Sequence, residues 1–223
     1  MTRSKLALAG VLAFATATAH ASLFDRGGGL IYDDDLHVTW LADADYARSS
    51  GYDADGYLTW DEANQWATSL VYLDTVRGKA LSGWRLPRTA YPDPTCSSPS
   101  IATTDVYGCV GSEMGHIFYE ELGGLATQNI ATTHNANFRL FSNHRSNRYW
   151  SETPLAADDR LAWSFDFVYG GQLVDTKSAH FFAWAVRDGD VLSVPEPASA
   201  LLLTLGIVGL CAVKHRSRST PSS

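Results

Sequence analysis

Apolar residues recur at helical spacing in two early stretches and alternate with polar ones in several later stretches. Leu58–Asp74 predicts the longest helix, with Trp60, Ala63, Ala67, Leu70, Val71 and Asp74 on one stripe and Trp66 beside it. Thr59 and Glu62 stand at N-cap and N3, the spacing of a capping box, and Gly78 would stop the helix. Ser112–Leu122 predicts a second helix, with Met114, Ile117, Phe118 and Leu122 on one face and Gly123-Gly124 after it. Gly115 is a poor residue for that helix. Leu30-Ile31-Tyr32, an Asp33-Asp34-Asp35 turn and Leu36–Leu41 predict a hairpin, and Leu36, Val38 and Trp40 alternate as in a half-buried strand. After Thr127 the pattern becomes extended. Tyr149-Trp150-Ser151 starts one strand. Ala162–Phe167 has a period of two, Gly170-Gly171 turns it into Gln172-Leu173-Val174, and Phe181–Arg187 closes the sheet. Helices followed by antiparallel strands predict an α+β fold.

Both ends read as addresses. Arg3 and Lys5, the apolar stretch Leu6–Thr16 and the small-x-small Ala19-His20-Ala21 have the order of a secretory signal peptide, cut after Ala21. Residues 1–21 are therefore expected to be removed. At the other end, Pro195-Glu196-Pro197 leads into the uncharged Ala198–Val213 and then Lys214, His215, Arg216 and Arg218. A helix over that apolar stretch would cover roughly 24 Å against a hydrocarbon core of about 30 Å, a marginal span. The basic tail would hold its end in the cytoplasm. Pro-Glu-Pro, short apolar helix and basic cluster, in that order over 194–223, resemble the PEP-CTERM sorting signal. The resemblance implies recognition by an exosortase, processing near Pro195-Glu196-Pro197, transient anchoring in the inner membrane and a setting in which exopolysaccharide is made. An ordinary C-terminal anchor is the alternative. Either way, residues 22–193 form the extracytoplasmic domain of a cell-envelope or matrix protein.

Removing the ends changes the charge. The chain carries a formal −7, but residues 22–193 keep 12 of 17 basic and 23 of 24 acidic residues, a net of −11. Such a surface repels polyanions, so no nucleic-acid partner is expected. Cys96 and Cys109 are the only cysteines of the body. An even pair in an exported chain reads as a disulfide, worth roughly 3 kcal/mol for a loop of about 14 residues; free reactive thiols are the alternative. The pair pins a Pro-, Ser- and Thr-rich loop, Arg88–Asp105. Cys211, in the apolar tail, reads as a small apolar residue.

Leu58–Ala63, Gly83-Trp84-Arg85-Leu86-Pro87, Tyr149–Thr153, Ala162-Trp163 and Ala185-Val186-Arg187 occur in an order that resembles the Lcl C-terminal domain family, over roughly residues 36–190. The resemblance implies a C-type-lectin-like fold related to the formylglycine-generating sulfatase modifiers. Members often carry Cys before the final Val-Arg, where this chain has Ala185. A core disulfide there is therefore not expected, nor is the modifier activity, which needs a cysteine pair near the domain's end.

Candidate chemistry is sparse. Trp84 and Leu86 read as core, with Arg85 paired to a carboxylate. Asp53, Asp55, Gly56 and Glu62 match positions 3, 5, 6 and 12 of a calcium loop, but position 1 is Gly51. A turn at Asp55-Gly56 and the capping box account for the same residues, so calcium is an alternative. Arg145, Asn147 and Arg148 lie in a polar stretch before Tyr149-Trp150 and could hydrogen-bond sugar hydroxyls, with Trp150 as a surface aromatic for stacking. The histidines show no metal-ligand spacing, and no Gly-x-Ser-x-Gly, His-Glu-x-x-His or phosphate loop occurs. The sequence therefore predicts a non-catalytic binding module, with extracellular polysaccharide as the ligand. A purely structural envelope protein and a glycan hydrolase are the alternatives.

Overall fold

The computed structural model describes residues 23–97 and 105–192, so the signal peptide with Ala21, the sorting segment with Pro195, Glu196 and Pro197, and the apolar helix lie outside the described residues. Among the described residues no helix is long and apolar enough to cross a membrane.

The fold is α+β, with antiparallel pairing throughout its three sheets. The main sheet contains β1 (Leu23–Asp25), β2 (Leu30–Asp33), β3 (Val38–Leu41), β6 (Trp84–Arg85) and β10 (Val186–Asp188), in the order β1-β2-β3-β10-β6. The predicted hairpin is β2–β3, with Asp33 opposite Val38. The last strand enters between β3 and β6, so the five-stranded sheet is completed only by the end of the domain. A second sheet holds β7 (Arg148–Pro154), β8 (Leu161–Asp166) and β9 (Gly171–Thr176), with the Gly170-Gly171 turn where the pattern placed it.

Two cores form because neighbouring residues on a strand face opposite ways. Ile31, Trp40, Tyr149, Phe165 and Trp184 enter one core; Leu30, Leu41, Trp150, Ala162, Ala183 and Ala185 enter the other. After the single turn α1 (Tyr46–Ser49), helix α2 (Trp60–Ser69) covers the second core with Ala63, Trp66 and Ala67. The first is covered by α3 (Glu113–His116) and the π turn Ile117–Glu121, through Met114, Ile117 and Phe118. All four residues of β3 are buried, so it is a two-faced core strand rather than a half-buried one.

Several boundaries differ from the pattern. The long helix ends at Ser69, where Leu70 turns extended. Tyr72–Asp74 (β4) pairs instead with Lys79–Leu81 (β5), and Gly78 belongs to their turn. The reason is visible at Asp74: its buried carboxylate accepts the Val76 and Arg77 amides and pairs with the Arg77 guanidinium at 2.8 Å, stabilising the turn over another helical turn. After Thr127 the chain first forms α4 (Ile130–Thr133) and a 3₁₀ turn (Ala136–Leu140), each capped by an Asn side chain that the alternation pattern does not register. Only Val186–Asp188 of the closing segment is regular strand. Gly115 has a packing reason: a Cβ there would collide with the Cys109 carbonyl oxygen. Cys96 and Cys109 form the disulfide.

Candidate functional site

Two polar loops far apart in the chain meet in space. The 53–57 loop and the 143–147 loop line an open cleft of about 380 Å³ with Arg48, Asp55, Tyr57, Arg145, Asn147 and Phe182 on its walls. A second hollow of about 340 Å³ shares Arg48 and Arg145 and adds Asp45 and Asn143.

Each wall residue has a local reason for its place. Asp53 Oδ1 accepts the Asp55 and Gly56 amides at 3.0 and 2.7 Å, closing the turn. Gly56 adopts a left-handed conformation, and a Cβ there would strike the Asp45 carboxylate. Tyr57 then lies against Phe182, ring centroids 4.3 Å apart, and its hydroxyl accepts a 2.7 Å hydrogen bond from Asn147 Nδ2. The Arg145 guanidinium also approaches Phe182, 5.7 Å from the ring centroid. Arg145 Nε donates to Asp45 at 2.8 Å, and its backbone amide donates to the Tyr149 hydroxyl at 2.8 Å. Burial raises the Asp45 carboxyl pKa and outweighs the Arg145 pair. Burial also pushes the Tyr149 phenol up, so it stays neutral and fixes the loop. The cleft thus presents amide, guanidinium and carboxylate groups beside the half-buried Tyr57 ring, with Phe182 buried at 4% exposure.

The nominated residues divide. Arg145 and Asn147 line the cleft, and Asp55 faces them across it. Arg148 turns away, pairing with Asp175 at 2.9 Å and packing over Phe181. Trp150 is a correction: it is 0% exposed, its indole donates to the Leu58 carbonyl at 2.9 Å, and it packs on Phe181. Trp150 follows a polar loop, but the strand alternation that sends Tyr149 to one core sends Trp150 to the other. Asp53 closes its own turn, and Glu62 completes the capping box of α2. Glu62 accepts both the Thr59 amide and hydroxyl, which hold its pKa below the usual range. At Asp53 burial raises the carboxyl, but the Asp55 and Gly56 amides win and hold it down. Sequence reading missed Tyr57, Phe182 and Arg48; only Tyr57, directly after an Asp-Gly turn, carried a local hint.

Arg85 is structural. It makes a two-pronged pair with Glu113, both contacts 2.7 Å, and reaches Asp188 at 2.6 Å. Trp84 and Leu86 are buried on either side. Trp60 is only half-buried, with the Lys177 ammonium 4.1 Å from its ring centroid beside a larger hollow of about 560 Å³.

The C-terminal segment carries a match to a known family model. Residues 193–217 match the PEP-CTERM protein-sorting motif. The motif marks an exported protein that an exosortase recognises during sorting through the membrane. No curated protein and no solved structure matches the chain.

Proposed function

We propose that the sorted protein works outside the cytoplasm as a non-catalytic binding module for extracellular polysaccharide, with the Tyr57–Arg145–Asn147–Phe182 cleft as its seat. The observation that carries this reading is the meeting of the 53–57 and 143–147 loops around one open aromatic-walled hollow. The lectin-like resemblance belongs to the same reading and is supported by the first and last strands lying in one sheet. Arg145 is paired with Asp45, and Asp55 lines the cleft together with Arg48, so the cleft is close to neutral on an acidic body, which suits neutral or weakly acidic glycans over highly sulfated ones. Calcium, if it takes part, would be held by Asp53 and Asp55 at the cleft's rim.

The test is binding of the purified protein to neutral and uronic-acid-containing bacterial polysaccharides, with calcium and with chelator. Saturable binding that Asn147→Ala weakens at unchanged melting temperature supports the seat. Trp150→Ala should instead lower the melting temperature, because it opens a core cavity. Loss of binding in chelator assigns calcium a part. No saturable binding in either condition overturns the glycan reading in favour of a structural envelope protein.

A further inference from the structure

Away from the cleft, three side chains face one another inside the first core with polar atoms left unpaired. Asp33 ends β2, His116 ends α3 and Glu121 ends the π turn. His116 Nε2 lies 3.9 Å from Asp33 Oδ1 and 3.7 Å from Glu121 Oε1, and the three ligand atoms all fall within 4.8 Å of one another. Their side chains are 11%, 0% and 1% exposed, in the order His116, Asp33, Glu121. Asp33 Oδ2, His116 Nε2 and Glu121 Oε1 are all without a hydrogen-bond partner. Among the described residues no Lys or Arg pairs with either carboxylate. Two acids and an imidazole are thus desolvated together with no Lys or Arg to neutralise them, an arrangement that costs several kcal/mol unless charge is supplied or protons are taken up.

The backbone is shaped to bring them together. In a regular α-helix, residues five apart point about 140° away from each other. Here the Leu122 amide bonds to the Ile117 carbonyl, an i→i+5 bond of 2.9 Å, and this wider turn puts Glu121 beneath His116. Such π turns concentrate at functional sites because they cost stability. Asn135 and Asn137 hold the turn by donating to the Glu121 carbonyl at 2.8 and 3.0 Å. On the sheet side, Asp33 Oδ1 accepts the Leu36 amide at 3.0 Å, which aims the carboxylate inward.

We propose that Asp33, His116 and Glu121 form a buried site for one divalent transition-metal ion of the zinc class. One nitrogen and two carboxylate oxygens suit such an ion, and the absence of a thiolate disfavours softer metals. Ligands about 2.1 Å from a tetrahedral ion stand about 3.4 Å apart, so small side-chain shifts close the observed spacing. Two carboxylates balance the double positive charge. The ion would join the β2–β3 turn to the π turn and so staple the sheet to its covering helix. The other cluster of similar composition, Asp93 with Cys96 and Cys109, is closed to this role because its sulfurs form the disulfide.

The experiment uses the purified full chain, stripped with chelator and titrated with Zn²⁺ while bound metal and melting temperature are followed. Co²⁺ serves as a second probe for its visible ligand-field bands. The expected result is one Zn²⁺ per chain, a raised melting temperature, and Co²⁺ bands of a low-coordinate N/O site. Glu121→Gln and His116→Gln should each weaken Zn²⁺ at least about 10-fold, since even groups that only orient a metal ligand contribute that much. Glu121→Gln removes a desolvated charge, so the metal-free variant should melt no lower than metal-free wild type, which separates lost binding from lost folding. Asp159→Asn, an exposed carboxylate outside both sites, should leave Zn²⁺ binding unchanged. Absence of stoichiometric binding, or equal binding by Glu121→Gln, overturns the proposal.

Discussion

Replacing Arg85 by Met should destabilise the protein by about 3–5 kcal/mol, the cost of breaking a buried ion pair and leaving its partner uncompensated. The magnitude rests on Glu113 rather than Asp188. The Glu113 side chain is 13% exposed and meets the guanidinium fork twice at 2.7 Å, whereas that of Asp188 is 66% exposed and is screened by water. Burial alone would lower the Arg85 pKa, but the Glu113 and Asp188 contacts raise it, so the charge is permanent. A melting temperature lower by about 6–20 °C is the corresponding shift for a domain of this size. Urea denaturation of wild type, Arg85→Met, Glu113→Gln and the double variant would measure it. The double variant should recover part of the loss, because an apolar residue facing a neutral amide leaves no buried charge. A single-variant cost below about 1 kcal/mol, or a double variant no milder than Arg85→Met, would refute the reasoning and make the motif's arginine an ordinary surface group.

Asp74 makes stability depend on pH with a definite sign. Burial raises its carboxyl, but the Arg77 pair and the turn amides overcome this and hold the folded pKa below the unfolded value of about 3.9. Its contribution is therefore full above about pH 4 and fades as pH falls through the lower folded value. Asp74→Asn should lower the urea midpoint at pH 7, and the gap to wild type should narrow as pH falls below about 4; a gap that stays the same through that acid range would contradict the turn-stabilising role. Gly115→Ala tests the close approach of α3 to the disulfide loop. Helix propensity alone favours Ala by about 1 kcal/mol, whereas overpacking against the Cys109 carbonyl costs typically about 1–3 kcal/mol. A net loss of stability is expected, and a gain would show that the backbone there yields freely.

Much of the local structure was legible because it depends on near neighbours. The Thr59–Glu62 capping box, the β2–β3 hairpin, the Gly170-Gly171 turn and the Cys96–Cys109 pair each follow from residues within one short stretch or one export argument. The sorting motif was legible for the same reason, since it is linear and read as a sequence. Helix length was not: Leu70 and Val71 continue the apolar spacing, but the Asp74–Arg77 turn captures the following residues as a strand.

Side-chain destination depended on partners distant in sequence. Period-two alternation places Tyr149 and Trp150 on opposite faces, yet only a second core on the far side turns Trp150 from a surface aromatic into a buried one. Tyr57 and Asn147, 90 residues apart, share a cleft because both loops pack around Phe182. Asp33 meets His116 and Glu121 because the end of an interior strand and a π turn converge, far apart in the sequence. The capped helix, the principal hairpins and the disulfide were readable from the chain because bonds between close neighbours set them, and the sorting address because it is a linear motif. Which polar groups are enclosed together, and hence where a ligand or a cation could be held, was decided by tertiary packing, because burial and charge are properties of what surrounds a residue in space.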